Sequence, residues 1–291
     1  MSDWNAPPEY GIALALLVGA RTGALVFASP LPVAAAPYTV RIGAATVLTL
    51  ALAASLWGAP LPALDDLSAF APAFVGELVI GAALGLAVQF VTAGLQAGGS
   101  LVATLGGFHP TPLYDPLSEE ETSAPAVWIG LATTAALFVS GGHRQVVAAL
   151  ADGFALVPPG AAVLGSTVAP LTDVASLSAG MFWLALRLAA PVAAATLAVL
   201  ALLALAGRVL APLPLGDVAP PLQTALALVL IALSLDAWGG AAEESLTAAL
   251  AAINESLAGV ETPASAAPAL SPSPSLIPSS PAIAPSASLV P

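Results

Sequence analysis

The side chains that could do chemistry in this sequence are few and lie far apart. Glu77 is the first. It opens an apolar run that carries no further charged residue until Asp115. An acid inside an apolar helix is a functional candidate, because burying it ionised is costly. Near a helix start the same acid is favoured by the macrodipole and can reach water. Both readings of Glu77 stay open. Arg187 and Arg208 flank a fully apolar stretch, Leu188 to Ala206. Arg208 sits close to a run of prolines and reads as an interface anchor that snorkels to water. Arg187 lies deeper in its segment and calls for a partner carboxylate. His143 could relay protons, yet beside Gly141, Gly142 and Arg144 it reads as an interfacial loop residue. Asp115, between Tyr114 and Pro116, would need a second carboxylate, a histidine or a held metal to act as nucleophile or acid. The sequence offers no such set at recognisable spacing. It offers no hydrolytic triad and no phosphate loop either. No enzyme, cofactor or metal is expected.

The element that must position these residues is the stretch ELVIGAALGLAVQFVTAGLQAGGSLVATLGGFHPTPLYDP, Glu77 to Pro116. Glycines recur in it at helical spacing, at Gly81, Gly85, Gly94, Gly98 and Gly99. Small residues four apart let helix backbones approach closely in a dry environment. Gly81, Gly85, Gly94 and Gly98 are therefore the expected packing stripe of a long helix. Gly106 and Gly107 then free the backbone. Pro110, Pro112 and Pro116 stiffen a loop that cannot continue as helix.

Composition excludes several function classes. Hydrophobic residues make up 58% of the 291 residues and charged residues only 8%. A soluble domain carries about 25% charged residues. The chain must face lipid, other apolar subunits, or both. Basic residues number five, all arginine, against 17 acids. No basic stripe exists for nucleic acid, and attraction to anionic headgroups is weak. Without cysteine there is no disulfide and no thiolate site. No Lys or Arg precedes Arg21, so the first apolar segment is expected to be retained rather than cleaved.

In chain order, apolar segments are expected at roughly 10–29, interrupted by Arg21, and at roughly 38–57. Pro60, Pro62, Asp65 and Asp66 read as an exposed loop, and the long helix is expected to start after Pro72. A fourth segment covers roughly 126–139, followed by a short amphipathic stretch at 145–157. The fifth covers roughly 176–210, kinked at Pro191. The sixth covers 222–235, and a short polar-faced helix at 242–257 follows Gly239 and Gly240. From Thr262 onward Pro, Ser and Ala dominate without charge, which reads as a disordered tail. The expected architecture is an all-α integral membrane protein of about six apolar helices. A membrane domain at 1–260 is followed by the tail at 261–291.

The order of features resembles the FliR family, the export-gate subunit of flagellar type III secretion, and is similar to the T subunit of injectisomes. ELVIGAALGLAVQFVTAGLQAGGSLV resembles that family's long helix, and LYDP at Leu113 to Pro116 its motif after the glycine break. FVSGGHRQVVAALADGFALVPPG, Phe138 to Gly160, resembles its next signature. ARTGALVFASPLPVAAAPYTVRIG and RLAAPVAAATLAVLALLALAGR resemble its opening and its fifth segment. The chain departs from the family after Arg208, where Pro212-Leu213-Pro214-Leu215 replaces a Pro-Gln-x-Asn stretch and Gln223 stands where a lysine is expected.

The resemblance implies tilted helical hairpins in an assembly with FliP-like and FliQ-like subunits, wrapped by an FlhB-like protein. It implies a place in the bacterial inner membrane at the flagellar basal body, in contact with lipid and with unfolded protein substrates. The loop after the long helix would plug the closed pore, with Gly106, Gly107, Phe108, Tyr114, Asp115 and Pro116 as its residues. The rival reading is a six-span secondary transporter for a small solute, with Glu77 and Arg187 as intramembrane polar contacts. No pairing of broken segments between the two halves supports it.

Overall fold

The structure is a computed structural model that describes residues 8–30, 37–62, 66–108, 113–114, 121–122, 124–162, 168–209 and 215–259. The tail expected to be disordered lies outside the described residues. Among the described residues the helices are α1 (Pro8–Ala28), α2 (Tyr38–Ser55), α3 (Leu67–Leu105), α4 (Ala124–Val139), α5 (Gly142–Leu156), α6 (Val168–Val209) and α7 (Leu215–Ala258). Between α3 and α4, β1 (Leu113–Tyr114) pairs antiparallel with β2 (Glu121–Thr122), Tyr114 opposite Glu121.

Four helices among the described residues are long and apolar enough to cross a membrane, or five if α7 is taken as one bent span. The six expected apolar segments all fall on helices, α1, α2, α3, α4, α6 and α7, of which α4, with 16 residues, is shorter than a span. Helix α7 differs from expectation. The sixth segment and the polar-faced helix are one element that runs through Gly239 and Gly240 and bends by 54° around Asp236.

Helix α3 is the centre, packed against α1, α4, α6 and α7. It is 39 residues long and begins at Leu67, not after Pro72. Asp66 explains the early start. Its Oδ1 accepts from the backbone N–H of Ser68 at 3.1 Å and of Ala69 at 3.3 Å, and from Ser68 Oγ at 2.6 Å. That N-cap satisfies donors the first turn leaves open. Pro72 then sits half-buried in the second turn, where it leaves the Ser68 carbonyl without its usual helical donor.

These hydrogen bonds, the one from the Ser68 hydroxyl first, hold the Asp66 carboxyl below its usual pKa. A depressed carboxylate contributes stability that is present above the unfolded value, about 3.9. That contribution is lost as pH falls through the folded value. The protection factors of the Ser68 and Ala69 amides, taken against their intrinsic exchange at each pH, are therefore expected to fall below about pH 4. Asp66→Asn, which keeps an acceptor without the charge, should flatten that pH dependence. An unchanged acid profile in Asp66→Asn would remove Asp66 as its source.

The core is built from small and branched apolar side chains of α1, α3, α5, α6 and α7, such as Leu17, Ile80, Leu84, Leu95, Leu150 and Leu246. The outer helices are not covered. In α2 only Ala45 and Thr49 are buried. In α6, Phe182, Trp183, Leu197, Leu202 and Leu205 are all more than half exposed. Apolar faces of this extent need lipid or neighbouring subunits.

Candidate functional site

Two places concentrate polar contacts against α3. The first is a buried ion pair. Glu77 lies well inside α3, far from its N-terminus, and is fully buried. Its Oε2 accepts from Arg21 Nε of α1 at 2.6 Å, and its Oε1 accepts from the backbone N–H of Gly160 at 2.9 Å. Both carboxylate oxygens are thus engaged, and the reading of Glu77 as a solvated helix-start acid falls away. Arg21 is fully buried too. Its Nη2 donates to the Val157 carbonyl at 3.0 Å, and its guanidinium lies 4.1 Å over the Phe154 ring. Cation–π contact of this kind replaces part of the lost hydration.

The pair is reached from three directions because glycine permits it. Gly160 has φ +83°, a left-handed backbone that suits glycine, and a Cβ there would lie 2.6 Å from Pro62 Cδ. At Gly81 a Cβ would run into the backbone of Arg21 itself. The turn after α5 therefore aims the Gly160 N–H at Glu77, while α1 lies against α3 at backbone distance. Arg21 Nη1 and Asn254 Oδ1 are buried without a hydrogen-bond partner, and both face Gly153.

The second place is the C-terminal turn of α3. Phe108 N–H donates to the Ala103 carbonyl at 3.1 Å and Gly107 N–H to the Thr104 carbonyl at 3.2 Å. With Gly107 at φ +72° this is a Schellman end, which stops the helix and turns the chain. The carbonyl of Leu105, which the motif leaves open, accepts from Gln223 Nε2 of α7 at 2.6 Å.

The expected site residues fall as follows. Gly106, Gly107 and Phe108 form the α3 turn. Tyr114 lies in β1, and Asp115 and Pro116 lie outside the described residues. At Gly85 a Cβ would approach the Ala28 Cβ to 2.6 Å and the Leu25 carbonyl to 2.9 Å, both from α1. At Gly94 it would approach the Met181 carbonyl to 2.9 Å, and at Gly98 the Leu188 Cδ1 to 3.1 Å, both from α6. Arg187 Nη1 donates to Glu244 Oε2 of α7 at 3.0 Å, but both side chains are more than half exposed. Such a pair contributes little by itself. His143 is exposed at the start of α5 and stacks on Phe138, with ring centroids 6.1 Å apart. Among the described residues no three His, Asp or Glu side chains gather as a metal site.

Sequence reading missed Arg21 as the partner of Glu77. The signal was present, since each is an isolated charge inside an apolar segment, and opposite charges in that setting pair. Gln223 carried no signal of its own, because nothing along the chain says which carbonyl a glutamine will meet.

Residues 12–249 match the family model of bacterial export proteins, family 1. The flagellar biosynthetic protein FliR of Caulobacter vibrioides is 27% identical over 231 residues, covering 78% of this chain and 90% of that protein. The flagellar biosynthetic protein FliR of Escherichia coli K12 is 27% identical over 197 residues, covering 67% of this chain and 74% of that protein. The resemblance read from the motifs extends over most of the chain, which belongs to bacterial export proteins, family 1.

Proposed function

We propose that this chain is the FliR-like subunit of a flagellar type III protein export gate in the bacterial inner membrane. The observation that carries the reading is the family match across 12–249, which takes in nearly all the described helices. The chain joins FliP-like and FliQ-like subunits, and an FlhB-like protein contacts the assembled gate. The uncovered apolar faces of α2 and α6 suit such neighbours and the surrounding lipid. The substrates are unfolded proteins that cross the membrane through the gate.

The segment from Gly106 to Pro116 closes the pore in the resting gate. Non-helical backbone at membrane depth is tolerated where it is buried in protein or lines a cavity. Phe108 and Tyr114 are of a size to fill a narrow lumen, and an acid such as Asp115 is tolerated where water reaches it. The glycines Gly81, Gly85, Gly94 and Gly98 hold α1 and α6 against α3, so that the turn is presented from a rigid helix.

The test is deletion of Phe108 to Tyr114 in the co-expressed gate. The complex is expected to assemble with wild-type yield and to leak small ions, read as membrane conductance or solute uptake. A complex that assembles and stays as tight as wild type returns this segment to a surface connection. Secretion of flagellar filament protein tests the wider reading. It should be lost on deleting the gene and restored by supplying the chain in trans.

A further inference from the structure

We infer that the groove between α5 and the C-terminal part of α7 docks an amphipathic helix of a neighbouring subunit, one that carries lysine or arginine toward Asp152 and Glu255. The inference rests on the reading of the chain as one subunit of a membrane complex, and it specifies the chemistry of one contact in that complex.

The groove has a volume of about 680 Å³. Its polar lining is Gln145 and Asp152 on α5 and Thr247, Asn254 and Glu255 on α7. The donors among these are already engaged. Gln145 Nε2 donates to Glu243 Oε1 at 3.2 Å. The Thr247 hydroxyl lies 3.2 Å from Gln145 Oε1 and 2.9 Å from the Glu243 carbonyl. Asn254 Nδ2 donates to the Ala149 carbonyl at 3.3 Å. What is left over is acceptors. Asn254 Oδ1 is buried without a hydrogen-bond partner. Asp152 and Glu255 are exposed carboxylates, and among the described residues neither pairs with a cation.

The chain cannot easily supply that cation itself. It has five arginines and no lysine. Arg21 is committed to Glu77 and Arg187 to Glu244. Arg41 belongs to α2 and Arg208 to the last turn of α6. Arg144 sits in the first turn of α5, two turns before Asp152. A groove that offers acceptors and negative charge is complementary to a partner that brings donors and positive charge. The same acids repel an anionic headgroup.

The walls favour a helix as the shape of that partner. Ala148 and Ala155 on α5, and Ala251 and Ala258 on α7, are exposed and line the groove. Each pair is seven residues apart and so lies on one face of its helix. Small side chains in such rows let a third helix approach closely. From Gln145 to Leu156 the α5 wall runs about 16 Å, which is room for about three helical turns. A helix laid there keeps its apolar side on the alanines and reaches the two carboxylates with long basic side chains.

The experiment uses the full chain in the co-expressed complex. A photo-crosslinking amino acid replaces Ala251, and the purified complex is irradiated. The expected product is a covalent link to a helix of another subunit, with a lysine or arginine within one turn of the linked residue. Asp152→Lys combined with Glu255→Lys sets cations against cations and is expected to lower complex yield about tenfold. An acid substituted for the basic residue beside the link is expected to restore the yield. Glu9→Lys, the same charge change on α1, should leave it unaltered. A link only within this chain or to lipid, or an undiminished yield from the double substitution, overturns the docking site while the complex itself still stands. A yield that falls and is not restored by the acid marks a folding defect and overturns it as well. If the wild-type chain co-purifies with no other subunit, the docking site and the reading of the chain as a gate subunit fall together.

Discussion

Replacing Arg21 with methionine is expected to destabilise the membrane unit by about 3–5 kcal/mol, because it strands Glu77 as a buried charge. Glu77 has no route to water in this structure. It is fully buried, and its one cationic partner is Arg21 at 2.6 Å. Glu77→Gln removes the opposite charge and leaves the guanidinium among Phe154, Val157 and apolar neighbours, at a similar cost. The informative variant is the double, Arg21→Met with Glu77→Gln. It buries no charge, and the glutamine oxygen can still accept from the Gly160 N–H. The double is therefore expected to be more stable than either single variant. Thermal unfolding of the detergent-solubilised complex reads the difference. At about 2–4 °C per kcal/mol, each single variant should fall by on the order of 10 °C. A double variant whose loss equals the sum of the singles would show that the two side chains act separately.

Gly81→Val is expected to separate α1 from α3 and to abolish assembly of the complex. The Cβ that valine adds would lie 2.8 Å from the Arg21 carbonyl carbon and 2.9 Å from its Cα. These are backbone atoms inside a helix, and no rotamer change moves them aside. Overpacking a filled core costs about 1–3 kcal/mol even where side chains can yield. Here the whole of α1 must retreat, and the Arg21–Glu77 pair goes with it. Gly23→Ala in α1 is the control, since a Cβ there meets nothing within 4 Å. Removing a helical glycine at such a site is expected to stabilise by about 0.5–1 kcal/mol. The two substitutions should move complex yield in opposite directions. Equal yields from both would remove the close approach at Gly81 as a determinant of assembly.

Much of this protein is legible along the chain. The scarcity of charge and the long apolar runs place it in a membrane, since such a surface cannot be solvated. The glycine break at Gly106 and Gly107 marks the end of α3, because a left-handed turn there favours glycine. The order of motifs points to the family. Boundaries that depend on competing local signals read less well. Pro72 looked like a helix start, but the Asp66 cap nearly two turns earlier starts α3 and the proline lies inside it. Gly239 and Gly240 looked like an exit, but α7 continues through them with a bend.

What the sequence determines by itself is what each segment cannot do: an apolar run cannot sit in water, a proline loop cannot be helix, a lone charge in an apolar helix cannot stay unpaired. Which groups then meet is decided only in three dimensions. Arg21 finds Glu77 across 56 positions, Gly160 finds it across 83, and Gln223 finds Leu105 across 118. Periodicity and composition are local properties and carry no record of such distances. The helix axes bring these partners together, and those axes are set by where glycines let backbones touch. The chemistry of each group is written in its residue type, while its partner is written in the packing.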